Sequence, residues 1–161
     1  MSLENNPLLV NEGLPRYDEV AAEHIVVGVR QVLAEAEKSI AVLENNITPT
    51  WDGLLKPLEE LDVPFEYGWG PVAHLLSVRN ADDLREAHEE VLGEVVAFGL
   101  RVEQSRPIYE GLVAMRDGVE WEKLDGAQRR CVELKIRAAE HAGVGLTGET
   151  KDRFNAIEAE L

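Results

Sequence analysis

Apolar residues recur along this chain at three- and four-residue intervals, with polar residues filling the gaps. Between Glu23 and Asn45 the series Ile25, Val29, Val32, Leu33, Ala36, Ile40 and Leu43 keeps to one side of a helix, with Glu35, Glu37 and Lys38 opposite. Asn45-Asn46 and Thr48-Pro49 end it, because a proline disfavours helix in the residue before it. The spacing of Leu54, Leu55, Leu58 and Leu61 predicts a second helix from about Trp51, with Thr50 as its N-cap. Pro64 and Pro71, with Gly68 and Gly70, predict a kink or break between Val63 and Pro71. Each interior proline removes a backbone hydrogen bond and crowds the preceding turn, at a cost of about 3 kcal/mol. Helix resumes through His74, Leu75 and Val78.

Asn80 reads as the cap of a third helix, with Asp82 and Asp83 well placed near its positive end. Leu84, Val91, Leu92, Val95, Phe98 and Val102 mark its expected buried side. Pro107 interrupts near Ser105. Ile108, Leu112 and Met115 carry the period onward, and Asp117-Gly118 closes that segment. Asp125 and Gln128 have the spacing of a capping box. The helix they open is apolar at Leu124, Ala127, Cys131, Leu134 and Ala138, and again at Val132, Ile136 and Ala139. Two apolar faces predict burial between two neighbours. Gly143 and Gly145 terminate it. Thr147 is placed to cap a last helix carrying Phe154, Ile157 and Leu161, which is still periodic where the sequence stops. The expectation is therefore a chain cut from a longer one, and Met1-Ser2-Leu3 reads as a trimmed or vector-derived start. With no strand alternation and no internal repeat, the pattern predicts an all-α fold of long antiparallel helix hairpins forming a helical bundle.

Composition narrows the function classes. A chain of 161 residues with 45% hydrophobic and 29% charged content is one globular domain and not a disordered one. Its formal net charge of −15 repels a phosphate backbone, so nucleic acid is not an expected partner. The acid is spread over many segments, as on solvated helix faces. No apolar run is long enough for a membrane span, and no secretory leader pattern opens the chain, so the expected location is cytoplasmic. Asn46-Ile47-Thr48 fits a glycosylation sequon and reads as a chance match.

Candidate chemistry is sparse. His88-Glu89-Glu90-Val91-Leu92 begins like HExxH, but Leu92 stands where the second histidine must be. A zinc peptidase helix needs both imidazoles on one face to share the ion. No two of His24, His74, His88 and His141 lie three or four apart, so no metal ligands and no catalytic residues are assigned. The lone Cys131 sits on an apolar stripe and reads as a buried structural thiol. Phe65, Tyr67 and Trp69 cluster around Gly68 and Gly70, with His74 three residues past Pro71. They could form an aromatic wall of a peptide channel. The simpler reading is a packed kink between two helix halves, with His74 a core histidine.

Several segments carry a resemblance. Asn6-Pro7-Leu8-Leu9, Leu14-Pro15-Arg16-Tyr17, Glu23-His24-Ile25-Val26, Trp51-Asp52-Gly53-Leu54 and Pro71-Val72-Ala73-His74-Leu75 come in order. Val78-Arg79-Asn80, Leu84-Arg85-Glu86-Ala87, Ala127-Gln128-Arg129-Arg130 and Gly143-Val144-Gly145-Leu146 follow. Together they resemble the N-terminal helical region of the oligopeptidase A group in the thimet-oligopeptidase family of zinc metallopeptidases. Pro64 and Gly68-Trp69-Gly70 depart from that family's straighter second helix. The resemblance implies one wall of a larger helical peptidase, whose deep channel admits only short peptides. It implies zinc in the full-length enzyme, held by an HExxH helix and a later glutamate far beyond Leu161. The chain itself would hold no cofactor, shape the channel through Phe65, Tyr67, Trp69 and His74, and be inactive without the missing C-terminal catalytic domain. Apolar faces left bare would favour self-association. The rival expectation is a stand-alone helical module that binds peptides or a partner helix in a groove lined by the same four residues. A self-sufficient helical enzyme has no paired acid and base to support it.

Overall fold

The computed structural model describes residues 3–158. Among them there are no strands and seven α-helices: α1 (Ala22–Asn45), α2 (Lys56–Gly68), α3 (Gly70–Val78), α4 (Asp82–Glu103), α5 (Arg106–Asp117), α6 (Gly126–His141) and α7 (Gly148–Glu158). The fold is all-α. Met1, Ser2 and Leu161, to which the trimmed start and the end of the last apolar stripe were assigned, lie outside the described residues.

The chain forms two compact units, one of Met1–Ser39 with Glu59–Val95, the other of Ile40–Leu58 with Val96–Leu161. Helices α1, α2 and α4 contribute residues to both.

In the first unit, all the predicted core positions of α1 are buried: Ile25, Val29, Val32, Leu33 and Ala36. The N-terminal segment packs on this helix through Asn6, only 3% exposed, and Leu8, fully buried. The Asn6 amide donates to the His24 carbonyl at 2.8 Å, and its Oδ1 accepts from the Leu8 N–H at 3.0 Å. Gly28 makes room for it: a Cβ there would lie 2.8 Å from Asn6 Nδ2. At the start of α1 the His24 Nδ1 accepts from the Ala21 N–H at 3.1 Å, supplying the return bond of a capping arrangement.

The second helix does begin at Trp51, and Thr50 does cap it, its hydroxyl accepting from the Gly53 N–H at 3.0 Å. Its first five residues, Trp51–Leu55, wind as a wider π-turn, with the Lys56 N–H bonded to the Trp51 carbonyl five residues back. Pro57 supplies the reason: it has no N–H to close the ordinary four-residue bond onto Gly53. The helix then passes through Pro64 and halts only at Trp69, between Gly68 and Gly70. The interruption is a single residue within the predicted window.

Asn80 does not open α4. It closes α3, at φ 42, with its N–H on the Leu75 carbonyl at 3.3 Å. Its side-chain oxygen is engaged by the Arg85 guanidinium at 2.7 Å, so it is not available to the first N–H groups of α4. An asparagine tolerates the left-handed region that ends a helix, which sequence spacing alone does not separate from an N-cap. On α4 itself Leu84 and Val91 are buried, and Val95, Phe98 and Val102 are half-buried. Leu92, expected on the buried side, is exposed because it lies to one flank of the Leu84–Val91 line.

In the second unit, Ser105 caps α5 by accepting from the Ile108 N–H, with Pro107 in the first turn, and Ile108, Leu112 and Met115 are buried. Helices α5 and α6 form an antiparallel hairpin, the Tyr109 hydroxyl near the start of one donating to Glu140 near the end of the other at 3.2 Å. Gly111 lets neighbours come close, since a Cβ there would stand 2.8 Å from Ile47 Cγ2 and 2.9 Å from Leu54 Cδ2. The capping box of α6 is complete, with Gln128 N–H to Asp125 at 2.8 Å and Asp125 N–H to Gln128 Oε1 at 3.0 Å. Such a cap contributes about 1 kcal/mol. Gly143, at φ 80, ends α6, and the Val144 N–H reaches back to the Ala139 carbonyl at 3.0 Å.

Burial of α6 on two sides is not found. Val132, Ile136 and Ala139 are buried, whereas Ala127, Cys131, Leu134 and Ala138 are exposed. Cys131 is accordingly an exposed thiol, not a buried one. Helical period identifies apolar residues but not whether a neighbour covers them.

Candidate functional site

The four residues singled out as channel candidates lie on the α2–α3 stretch of the first unit, and the helical period sorts them into two pairs. Phe65 and Trp69 are four apart. Tyr67 and His74 are seven apart, on the opposite side. Trp69 stacks on His88 of α4, ring centres 4.7 Å apart and planes within 15°. Burial pushes the His88 imidazole below its ordinary value, against a weaker opposing pull from Glu89. A neutral ring against the indole is the form this stack favours at neutral pH.

On the other side, the Tyr67 hydroxyl donates to the Gly13 carbonyl at 2.7 Å. His74 is exposed and meets Tyr17 edge-on, ring centres 5.2 Å apart at 67°. It is not a core histidine, because the buried line of α3 runs through Pro71, Val72 and Leu75. The N-terminal arm between Val10 and Val20 therefore supplies partners to both Tyr67 and His74. Sequence reasoning did not find Tyr17 or Gly13, since partners 54 residues apart leave no local periodic signal.

Gly68 is the pivot between the two pairs. A Cβ there would fall 2.8 Å from Val32 Cγ2 and 3.4 Å from the Leu8 carbonyl, so α2 can approach α1 this closely only with glycine.

Charged groups near this stretch are paired on the surface. Arg30 of α1 forks onto Glu94 of α4 at 2.7 and 3.0 Å and reaches Glu90 at 3.1 Å. The Arg30 hydrogen bond holds the Glu94 carboxyl below the usual carboxylate range. Such exposed pairs contribute little to stability.

The HExxH-like start at His88 does not make a zinc-binding helix. His88 is occupied with Trp69, and Leu92 follows where a second imidazole would be needed. Among the described residues no three His, Cys, Asp or Glu side chains come together as metal ligands. Among them, too, no helix is long and apolar enough to cross a membrane.

The described residues form an all-α domain with aromatic residues displayed beside a helix break. Residues 29–151 match the family model described as the neurolysin/thimet oligopeptidase N-terminal domain, and the chain belongs to that family. Among curated proteins it is 39% identical over 160 residues to the probable cytosolic oligopeptidase A of Arabidopsis thaliana, covering 99% of this chain and 23% of that protein. It is equally 39% identical over 160 residues to the chloroplastic/mitochondrial organellar oligopeptidase A of the same plant, covering 99% of this chain and 20% of that one. Oligopeptidase A of Escherichia coli is 32% identical over 157 residues, 97% of this chain and 23% of the enzyme. The chain thus spans between a fifth and a quarter of the length of the curated relatives it matches.

Proposed function

We propose that this chain is the N-terminal part of an oligopeptidase A-type zinc metallo-endopeptidase acting on short peptides. Its task there is to build one wall of the substrate channel and so limit substrate size. The observation that carries the reading is the match along nearly the whole chain to a fifth to a quarter of the length of proteins named oligopeptidase A, together with the match to the family's N-terminal domain. In the complete enzyme the hydrolytic chemistry, with zinc activating water, belongs to a catalytic domain outside this sequence. This chain alone is inactive in the proposal and contributes no metal ligand.

Phe65, Tyr67, Trp69 and His74 are proposed to shape the peptide-facing wall. His74 with Tyr17 is the pair best placed for direct peptide contact, being exposed while Trp69 is engaged with His88. A cytoplasmic location is part of the proposal, motivated by the printed name of one plant relative, and neither nucleic acid nor membrane is a proposed partner. The exposed Tyr17–His74 pair also favours a second reading, a stand-alone module that binds peptides without cleaving them.

Quenched fluorescent peptides test both. The expected result is no hydrolysis by the 161-residue chain, and chelator-sensitive hydrolysis by the full gene product that contains it. In that product His74→Ala and Tyr17→Ala should raise KM more than they lower kcat. Cleavage by the chain alone, or a full product that cleaves nothing, would overturn the peptidase-wall reading. Saturable heat on titrating short peptides into a chain whose gene ends at Leu161 would establish the second reading instead.

A further inference from the structure

The N-terminal arm is fastened at both ends, by the fully buried Leu8 and by Val20, 2% exposed, while residues 11–19 lie at the surface. Across that surface stretch the Tyr67 hydroxyl donates to the Gly13 carbonyl at 2.7 Å. Four residues further on, Tyr17 meets His74 edge-on, ring centres 5.2 Å apart. Tyr67 and His74 are themselves seven residues apart on α2–α3, about 10 Å of helical rise. Four residues of arm span at most about 14 Å when fully extended. The turn that brings the Tyr17 N–H onto the Pro15 carbonyl at 3.0 Å shortens that reach. Arm and helices therefore run side by side in a single register. A slip of the arm by one residue would carry the Tyr17 ring about 3 Å along, off His74. Gly13 lies at φ 75, and a Cβ there would meet nothing within 4 Å. The glycine is required by the backbone angle and not by crowding.

We infer that Tyr67 is a positioning residue: its hydroxyl, latched on the left-handed turn at Gly13, fixes the register of the arm and so holds Tyr17 against His74 for peptide binding. The inference rests on the peptidase reading above, and it gives Tyr67 a task different from that of the Tyr17–His74 pair. A phenolic hydroxyl has one proton to donate. Here that proton goes to the Gly13 carbonyl, so it does not serve the carbonyl of a bound peptide. Tyr17 is 41% exposed and His74 is exposed, which leaves surface on both for a ligand. Peptide affinity then depends on a hydrogen bond that the peptide itself does not touch.

The test is made in the full gene product, with a quenched fluorescent peptide and with trypsin. Tyr67→Phe keeps the ring and removes the hydroxyl. It should raise KM roughly two- to tenfold, the net contribution of one hydrogen bond, and leave kcat near its original value. Native cleavage after Arg16, followed by mass spectrometry, should quicken by a similar factor as the arm loosens. Gly13→Val, strained at a positive φ, should act in the same direction. Gly13→Asn, which tolerates that region, should keep the original KM. Tyr67→Phe is then combined with Tyr17→Ala. A residue that acts through Tyr17 has nothing further to lose in that background, so KM should stay that of Tyr17→Ala alone. Factors that multiply instead overturn the positioning role and assign Tyr67 a peptide contact of its own. Unchanged KM with unchanged cleavage at Arg16 in Tyr67→Phe overturns the latch and leaves the peptidase reading intact. A full product without peptidase activity, or one whose KM ignores both Tyr17→Ala and His74→Ala, overturns the reading beneath it, while cleavage at Arg16 still decides the latch.

Discussion

The Asn6 carboxamide lies directly over Gly28, in the space a side chain on α1 would otherwise fill, and joins the N-terminal arm to the helix through the His24 carbonyl. Replacing glycine by alanine inside a helix ordinarily stabilises it by about 1 kcal/mol. Here the added methyl meets Asn6 Nδ2 at 2.8 Å and must displace a buried, hydrogen-bonded amide. Gly28→Ala is therefore expected to destabilise by about 1–3 kcal/mol, the cost of overpacking. Asn6→Ala should destabilise as well, by loss of both bonds. Urea melts of the two variants check this, and a stabilised Gly28→Ala would show that the arm does not sit on α1.

A second close approach, between Gly68 and Val32, allows a test with its own control. Gly68→Ala should destabilise by a similar overpacking cost of about 1–3 kcal/mol. Val32→Ala alone should also destabilise, by removing buried methyl groups. The double variant should be more stable than the two losses added together, because the second change removes the clash the first creates. Strict additivity would count against contact between these positions.

His88 gives the first unit a dependence on pH. Its imidazole is held below the ordinary histidine value by burial against Trp69, so the folded state favours the neutral form. The associated stability is fully present above the unfolded value of about 6.5 and is lost as pH falls through the lower folded value. His88→Phe keeps a ring on the indole and should flatten the stability profile across this window. Trp69 emission followed during acid titration is the second readout. An unchanged profile in His88→Phe would assign the acid sensitivity to other groups.

Gln104, 8% exposed near the end of α4, holds the C-terminal part of the second unit. Its amide donates to the Ala142 carbonyl at 2.8 Å and to Asn155 Oδ1 of α7 at 2.7 Å. No residue of α7 (Gly148–Glu158) is buried, and the bond to Asn155 ties this helix to the end of α4. Gln104→Leu should cost about 1–3 kcal/mol by leaving buried acceptors unpaired. Hydrogen exchange in residues 148–158 should accelerate before that of α5 or α6. Unchanged exchange there would mean that α7 is held by other contacts.

The helices were legible because they obey local rules: the buried line of α1, the Ser105 cap and the Asp125–Gln128 box each lie within a few residues of chain. What the sequence hid depends on distant partners. Asn80 was misplaced because asparagine suits both the start of a helix and the left-handed end of one. Cys131 and Leu134 were read as buried because an uncovered apolar line has the same period as a covered one. The π-turn at Trp51–Leu55 follows from Pro57, whose missing N–H is visible in the sequence once that proline is weighed with the others. Of the candidate wall, the aromatic cluster was legible, but its division into two pairs required the partners Tyr17, Gly13 and His88.

The clamp at Asn6 also decides what a single peptide-bond cut in the arm can do. Arg16 lies in an exposed stretch that includes Leu14, 88% exposed, and offers trypsin a cleavage point before Tyr17. The released segment would still hold the fully buried Leu8 and the two Asn6 hydrogen bonds. It would also keep the Gly13 carbonyl that receives the Tyr67 hydroxyl. A nicked molecule is thus expected to travel as a two-fragment complex under native conditions and to separate on unfolding, with the arm held by its contacts and not by the peptide bond after Arg16.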